Sequence, residues 1–228
     1  MKTFALIVAA GRAVRFGGAV PKQFREVCGR PLLSWTISRF EQAKTIDGIV
    51  MVVSDEHLLF TSQKVVDPYG YAKVQKIVVG GETRQESVLK GLRALPISTR
   101  LVAIHDGARP LTASSDIDRV VETARVERAA MLAIQVTDTV KRVRDGYILG
   151  TMERDSLYLA QTPQVFDYDL ILEAHKAAGP AVSVSDDAAL VEARGFKVRV
   201  VEPSAPNIKV TTADDLAIVE ALLRKEAV

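Results

Sequence analysis

Cysteine is nearly missing from this sequence: Cys28 is its only one in 228 residues. A single thiol can build neither a disulfide framework nor a thiol-based zinc site, and this fits a reducing compartment. An excess of one charge is missing too. The net charge is +2, which gives no case for bulk nucleic-acid binding, so any basic function must be local. No apolar run approaches the length of a membrane span, and Phe4 to Ala10 is too short and too early for a signal peptide. A soluble, cytoplasmic protein is expected. Internal repeats, low-complexity stretches and linkers are absent as well. At 48% hydrophobic and 25% charged, the composition is that of an ordinary globular chain long enough for one sizeable core, and one domain over 1–228 is expected.

The stretch around which the rest is organised lies near the start. Phe4 to Ala10 reads as a buried strand that stops at Ala9-Ala10-Gly11. Two alanines and a glycine leave no bulk there, so another molecule can approach the backbone. Arg12, Arg15, Gly17, Gly18 and Pro21-Lys22 follow. A loop with free N–H groups and three cations, at the carboxyl end of a strand, suits a polyphosphate. The plain alternative is a basic surface turn. No Gly-Lys-Ser/Thr closes the loop, and five residues separate Gly11 from Gly17, so it is neither a P-loop nor a dinucleotide fingerprint.

Strand-like and helix-like segments then alternate. Strands are expected at Ile49–Val53, Val74–Val79, Leu101–His105, Met131–Val136 and Lys197–Val201. Helices are expected at Pro31–Ala43, Thr83–Leu95, Ser115–Arg128, Tyr168–Ala178, Ser185–Arg194 and Thr212–Lys225, the last opened by a Thr212/Asp215 capping box. Residues 137 to 165 break the rhythm. Asp145-Gly146, between alternating apolar and basic residues, signals a hairpin. It is too polar for a core pair, so 137–158 reads as an arm. The fold class expected is α/β, a mostly parallel sheet with helices on both faces.

Four further clusters sit where strands end. Gly80-Gly81 lets a flat base approach, with Ser87 near its edge; a plain strand-to-helix turn is the alternative. In His105-Asp106-Gly107-Ala108-Arg109-Pro110, Asp106 suits a ribose hydroxyl or magnesium and Arg109 a phosphate; the alternative is a salt-bridged turn. His105 either lines the site or is structural, while His57 and His175 read as surface residues. Thr137-Asp138-Thr139 and Glu153-Arg154-Asp155 flank the arm. Composition alone makes Arg154 one more charge there. Lys209, between Ile208 and Val210 in a strand, would face opposite to both, toward a site; a solvated edge lysine is the alternative.

In order and spacing these motifs resemble the 2-C-methyl-D-erythritol 4-phosphate cytidylyltransferases of the non-mevalonate isoprenoid pathway. The likeness runs from Ala5 to Leu223. It rests on Ala9-Ala10-Gly11 with Pro21-Lys22-Gln23, Gly80 to Val88, His105 to Pro110, Asp138 to Lys141, Arg154 ahead of Thr162-Pro163-Gln164, and Asn207 to Thr211. The resemblance implies a Rossmann-like nucleotidyltransferase sheet and a homodimer whose arms cross to the partner. It implies that CMP passes from CTP to the methylerythritol phosphate, with magnesium or another divalent ion held mainly by the CTP phosphates.

It assigns Arg15 and Lys22 to the triphosphate, and Arg154 and Lys209 to the acceptor phosphate. Arg109, Thr139 and Ser185 complete the acceptor pocket. Gly81 and Ser87 read cytosine beside Ala9, Ala10 and Gly11, and Asp106 holds ribose or metal. No side-chain nucleophile is needed, because the acceptor phosphate attacks. Ser185 stands where the family usually has Thr, and Arg12-Ala13-Val14-Arg15 where some members have Gly-x-Gly-x-Arg. Some relatives carry a second, cyclase domain; the chain ends at Val228, so that activity is expected to be absent. A ribitol 5-phosphate cytidylyltransferase and a non-catalytic nucleotide-binding regulator are the alternatives in function.

Overall fold

The computed structural model of the chain describes residues 2–11, 21–179 and 186–226. Arg12, Arg15, Gly17, Gly18 and Ser185 lie outside the described residues. The strand expected at the start is β1 (Lys2–Ala9). Its side chains alternate between two cores, as a pleated strand buried on both faces requires. Ala5, Ile7 and Ala9 enter one core and Phe4 and Leu6 the other.

A two-residue hairpin follows, β2 (Glu26–Val27) with β3 (Arg30–Pro31), and then α1 (Leu32–Gln42), which Pro31 opens. β4 (Gly48–Val53) is buried throughout. From β4 the chain crosses to β5 (Val74–Val79) through α2 (Leu58–Phe60) and a wide turn over Thr61–Val66. No helix is expected there from the sequence.

α3 (Arg84–Ala94), β6 (Thr99–Asp106), α4 (Ser114–Glu127) and β7 (Ala129–Gln135) complete the first half. The arm is β8 (Lys141–Arg144) paired with β9 (Tyr147–Thr151). Asp145 and Gly146 both take positive φ at its tip, 53° and 82°, as the tightest hairpin turns require. Then come β10 (Tyr158–Asp167), α5 (Tyr168–Ala178), α6 (Asp187–Glu192), β11 (Arg199–Val201) and α7 (Ala213–Glu226). The capping box at α7 is formed: Asp215 N donates to Thr212 Oγ1 and Thr212 N to Asp215 Oδ2.

Seven strands form one sheet in the order β11-β7-β10-β6-β1-β4-β5. All pairings are parallel except the two made by β10, which runs against β6 and β7. No strand is expected at β10 from the sequence. Pro163 and the polar run Gln161-Thr162 conceal it, because proline ordinarily marks an edge. Here the β10–β7 register shifts between Ala160 and Gln164, where the proline sits. α1 and α4 cover one face; α3, α5 and α6 cover the other. α7 packs on Val27, Leu32, Leu111 and Val210 in a third, smaller core.

Candidate functional site

The chain runs from β1 outward through β4 to β5, then returns to the other side of β1 as β6. That reversal leaves a crevice beyond the carboxyl ends of β1 and β6, the usual ligand position in such sheets. Most sequence-expected site residues collect along this edge.

At the end of β1, Gln23 Nε2 donates to Ala9 O at 2.9 Å and to Gly11 O at 3.2 Å. The buried Gln23 amide thus ties Pro21-Lys22-Gln23 to the strand end and puts half-buried Lys22 beside it. Gln23 appears in the sequence motif without a role; holding this loop is what it does. One strand over, Gly80 packs so closely that a Cβ there would lie 2.7 Å from both Ala10 Cβ and Ser87 Oγ. Ser87 Oγ accepts from Gly81 N at 3.0 Å and donates to Thr83 O at 2.9 Å. Ser87 is buried, and those two bonds hold the glycine turn in place.

The end of β6 carries the charge. Asp106 Oδ2 lies 2.7 Å from Lys209 Nζ and 3.8 Å from Arg109 Nε, and Oδ1 lies 3.4 Å from Arg84 Nε. Burial alone would raise the Asp106 carboxyl, but Arg84 and Lys209, with Arg109, outweigh it and hold it well below the usual carboxylate range. Arg84 also pairs with Asp187 at 2.7 Å. Among the described residues, this ion-pair cluster joins three cations to two carboxylates, which leaves it a positive excess.

Arg109 is buried and its Nη1 donates to Asn207 O at 2.6 Å. Asn207 in turn donates to Thr162 O and Gln161 Oε1, and accepts from Thr112 Oγ1. Val210 N donates to Ala108 O. These bonds hold 207–210 against 105–112. The segment is not a strand, contrary to expectation. Ile208 and Val210 turn into the small α7 core instead, and Lys209 turns the other way, onto Asp106.

The histidines correct the sequence reading. His175 is not a surface residue: it is buried, and its Nε2 donates to Asp187 Oδ1 at 3.0 Å. His57 is half-buried and stacks on Phe24 with ring centroids 4.6 Å apart. His105 is structural. Its Nδ1 meets Thr162 Oγ1, its Nε2 meets Arg109 O, and its ring lies against Phe40. Burial pushes its pKa down to about 3, so it is neutral at ordinary pH.

Thr139 and Arg154 are exposed at the base of the arm, where Arg154 Nη1 donates to Thr137 O at 2.6 Å. The structure thus joins Arg154 to the arm's own base. Among the described residues, no three His, Cys, Asp or Glu side chains gather as a metal site. Both oxygens of Asp106 face cations. No helix of the described residues is long and apolar enough to cross a membrane.

The protein named 2-C-methyl-D-erythritol 4-phosphate cytidylyltransferase from Desulforamulus reducens is 44% identical over 223 residues, covering 97% of this chain and 95% of its own. The protein of the same name from Geobacter metallireducens is 40% identical over 230 residues, covering 99% of each. The crystal structure of 4-diphosphocytidyl-2C-methyl-D-erythritol synthase from Anaerococcus prevotii superposes with a TM-score of 0.85 at 31% identity, covering 98% of this chain and 96% of that one. Residues 3–225 match the family model for 2-C-methyl-D-erythritol 4-phosphate cytidylyltransferase, a nucleotidyltransferase, and the chain belongs to that family.

Proposed function

We propose that the chain transfers CMP from CTP to 2-C-methyl-D-erythritol 4-phosphate, releasing pyrophosphate and forming 4-diphosphocytidyl-2-C-methyl-D-erythritol, an isoprenoid precursor. The observation that carries this reading is the excess of cations around Asp106 at the switch point of the sheet. An acceptor phosphate oxygen attacks the α-phosphorus of CTP, and the bond to the β-phosphate bridging oxygen breaks. Two anions must meet, so neutralising and aligning them is the main task. No protein nucleophile takes part.

Lys22, held beside the β1 end by its neighbour Gln23, and Arg15 neutralise the triphosphate. Ala9, Ala10 and Gly11 let the nucleotide lie against the backbone. Gly81, in the turn fastened by Ser87, faces the cytosine. Asp106 sits where it can orient Lys209 and meet a ribose hydroxyl. Lys209 holds the acceptor phosphate, together with Arg154; Thr139, Ser185 and Arg109 complete or support that pocket. Magnesium bound to the phosphates would supply further charge neutralisation.

The enzyme works in the cytoplasm as a homodimer. The arm exposes Val143, Tyr147, Ile148 and Leu149, and a two-stranded hairpin bearing such side chains needs a partner surface. Crossing to a second subunit would supply that surface, and would bring Arg154 and Thr139 to the partner's pocket.

Pyrophosphate release, measured with CTP and each polyol phosphate in turn, tests this function. Turnover with the methylerythritol phosphate is expected to exceed turnover with ribitol 5-phosphate. Equal or faster use of ribitol 5-phosphate would overturn the acceptor assignment.

A further inference from the structure

Arg84 lies in the glycine-turn motif, yet the reaction as described gives it no part. It is the first residue of α3, three residues after Gly81. Its guanidinium spans two carboxylates, with Nε 3.4 Å from Asp106 Oδ1 and Nη2 2.7 Å from Asp187 Oδ2. Asp187 opens α6, two residues after Ser185. Its other oxygen accepts from the fully buried His175. Burial disfavours the Arg84 charge, but Asp187 and Asp106 outweigh it and raise its pKa further. Arg84 therefore remains a cation at every working pH.

We propose that Arg84 is a positioning residue for the acceptor side of the site: it shares the Asp106 carboxylate with Lys209 and joins the glycine turn to the start of α6. This rests on the reaction proposed above. Asp106 shares one oxygen with Arg84 and the other with Lys209. Without Arg84 the carboxylate leans wholly on Lys209 and Arg109. Lys209 then offers less charge to an incoming phosphate dianion, so acceptor binding weakens while CTP binding is kept. The start of α6 has a second, independent hold. Gln164 Nε2 donates to Asp186 Oδ2, and Gln164 Oε1 accepts from Ala188 N. Loss of Arg84 thus leaves α6 attached.

Arg84→Gln alone strands the buried Asp187 carboxylate and is expected to be unstable. The informative variant is Arg84→Gln combined with Asp187→Asn, which removes the stranded charge. Its melting temperature should return toward wild type, while the acceptor KM rises about tenfold and the CTP KM stays within about twofold. Arg84→Lys keeps the charge but reaches one carboxylate at a time, so its acceptor KM should fall between wild type and the double variant. An acceptor KM at the wild-type value in either the double variant or Arg84→Lys overturns the proposal. So does a CTP KM that rises as far as the acceptor KM, which is the mark of a merely structural role. If wild type turns over and the variants match it, this inference alone fails. If wild type releases no pyrophosphate, the proposed reaction fails and takes this inference with it.

Discussion

At Asp106 a single carboxylate faces three cations, and at β1 a single buried amide fastens the loop that carries Lys22. In the proposed reaction, both arrangements serve to put positive charge where a triphosphate and a phosphate monoester meet. Lys22→Ala and Arg15→Ala should therefore act on the step itself. Each should lower kcat by about 10²–10³, the usual cost of losing one preorganised contact to transition-state charge, with little change in acceptor KM. Steady-state kinetics with pyrophosphate detection checks this; a variant keeping more than about half of wild-type kcat has no such role.

His105 gives a prediction on stability. Its pKa is pushed down to about 3 in the folded chain, against about 6.5 for an unperturbed imidazole. Between these values the unfolded chain binds a proton that the folded chain refuses. Stability is therefore lost as pH falls below about 6.5, by up to about 1.4 kcal/mol per unit, and the loss levels off below about 3. In urea titrations followed by Trp35 fluorescence, His105→Gln should lose less stability than wild type between about pH 6.5 and pH 5. Identical slopes would contradict the burial argument.

Among the elements, β1 and the arm were legible in the sequence because their signals are local. A short apolar run that ends in small residues, and an Asp-Gly pair between alternating residues, each specify their own backbone. β10 was not legible. Its place between β6 and β7 depends on long-range pairing, and Pro163 points away from a central strand. His175 was misread for a similar reason: α5 exposes part of its surface, and only the buried Asp187 explains a histidine on its inner face.

α3 shows how tightly an element can be fitted. A Cβ at Gly91 would lie 2.4 Å from Leu6 Cδ1 and 2.8 Å from Val52 Cγ2, both in buried side chains. Alanine favours a helix over glycine by about 1 kcal/mol, but overpacking of a filled core typically costs about 1–3 kcal/mol. Gly91→Ala should therefore be neutral to destabilised, never stabilised, in urea denaturation. A clear gain in stability would mean that α3 can shift off the sheet.

In the whole molecule, the sheet gathers residues from 9 to 209 at one edge, but Arg154 and Thr139 are exposed at the base of the arm, where Arg154 bonds to Thr137 O. The homodimer reading resolves this by letting each arm serve its partner. Lys22→Ala and Arg154→Ala, each inactive alone, should then complement when mixed and allowed to exchange subunits. Every heterodimer would hold one site with both residues and one with neither, so activity should return to at most half per heterodimer. Heterodimers that form and stay inactive would place Arg154 in its own subunit's site.

The central claim is that the acceptor phosphate itself attacks CTP, and phosphorus NMR of the reaction mixture tests it most directly. With CTP, magnesium and 2-C-methyl-D-erythritol 4-phosphate, the account predicts that the monoester signal disappears. Two mutually coupled diphosphate signals should replace it, together with pyrophosphate in equal amount. A persistent monoester signal alongside consumed CTP, or an unchanged spectrum from active-folded protein, would contradict it.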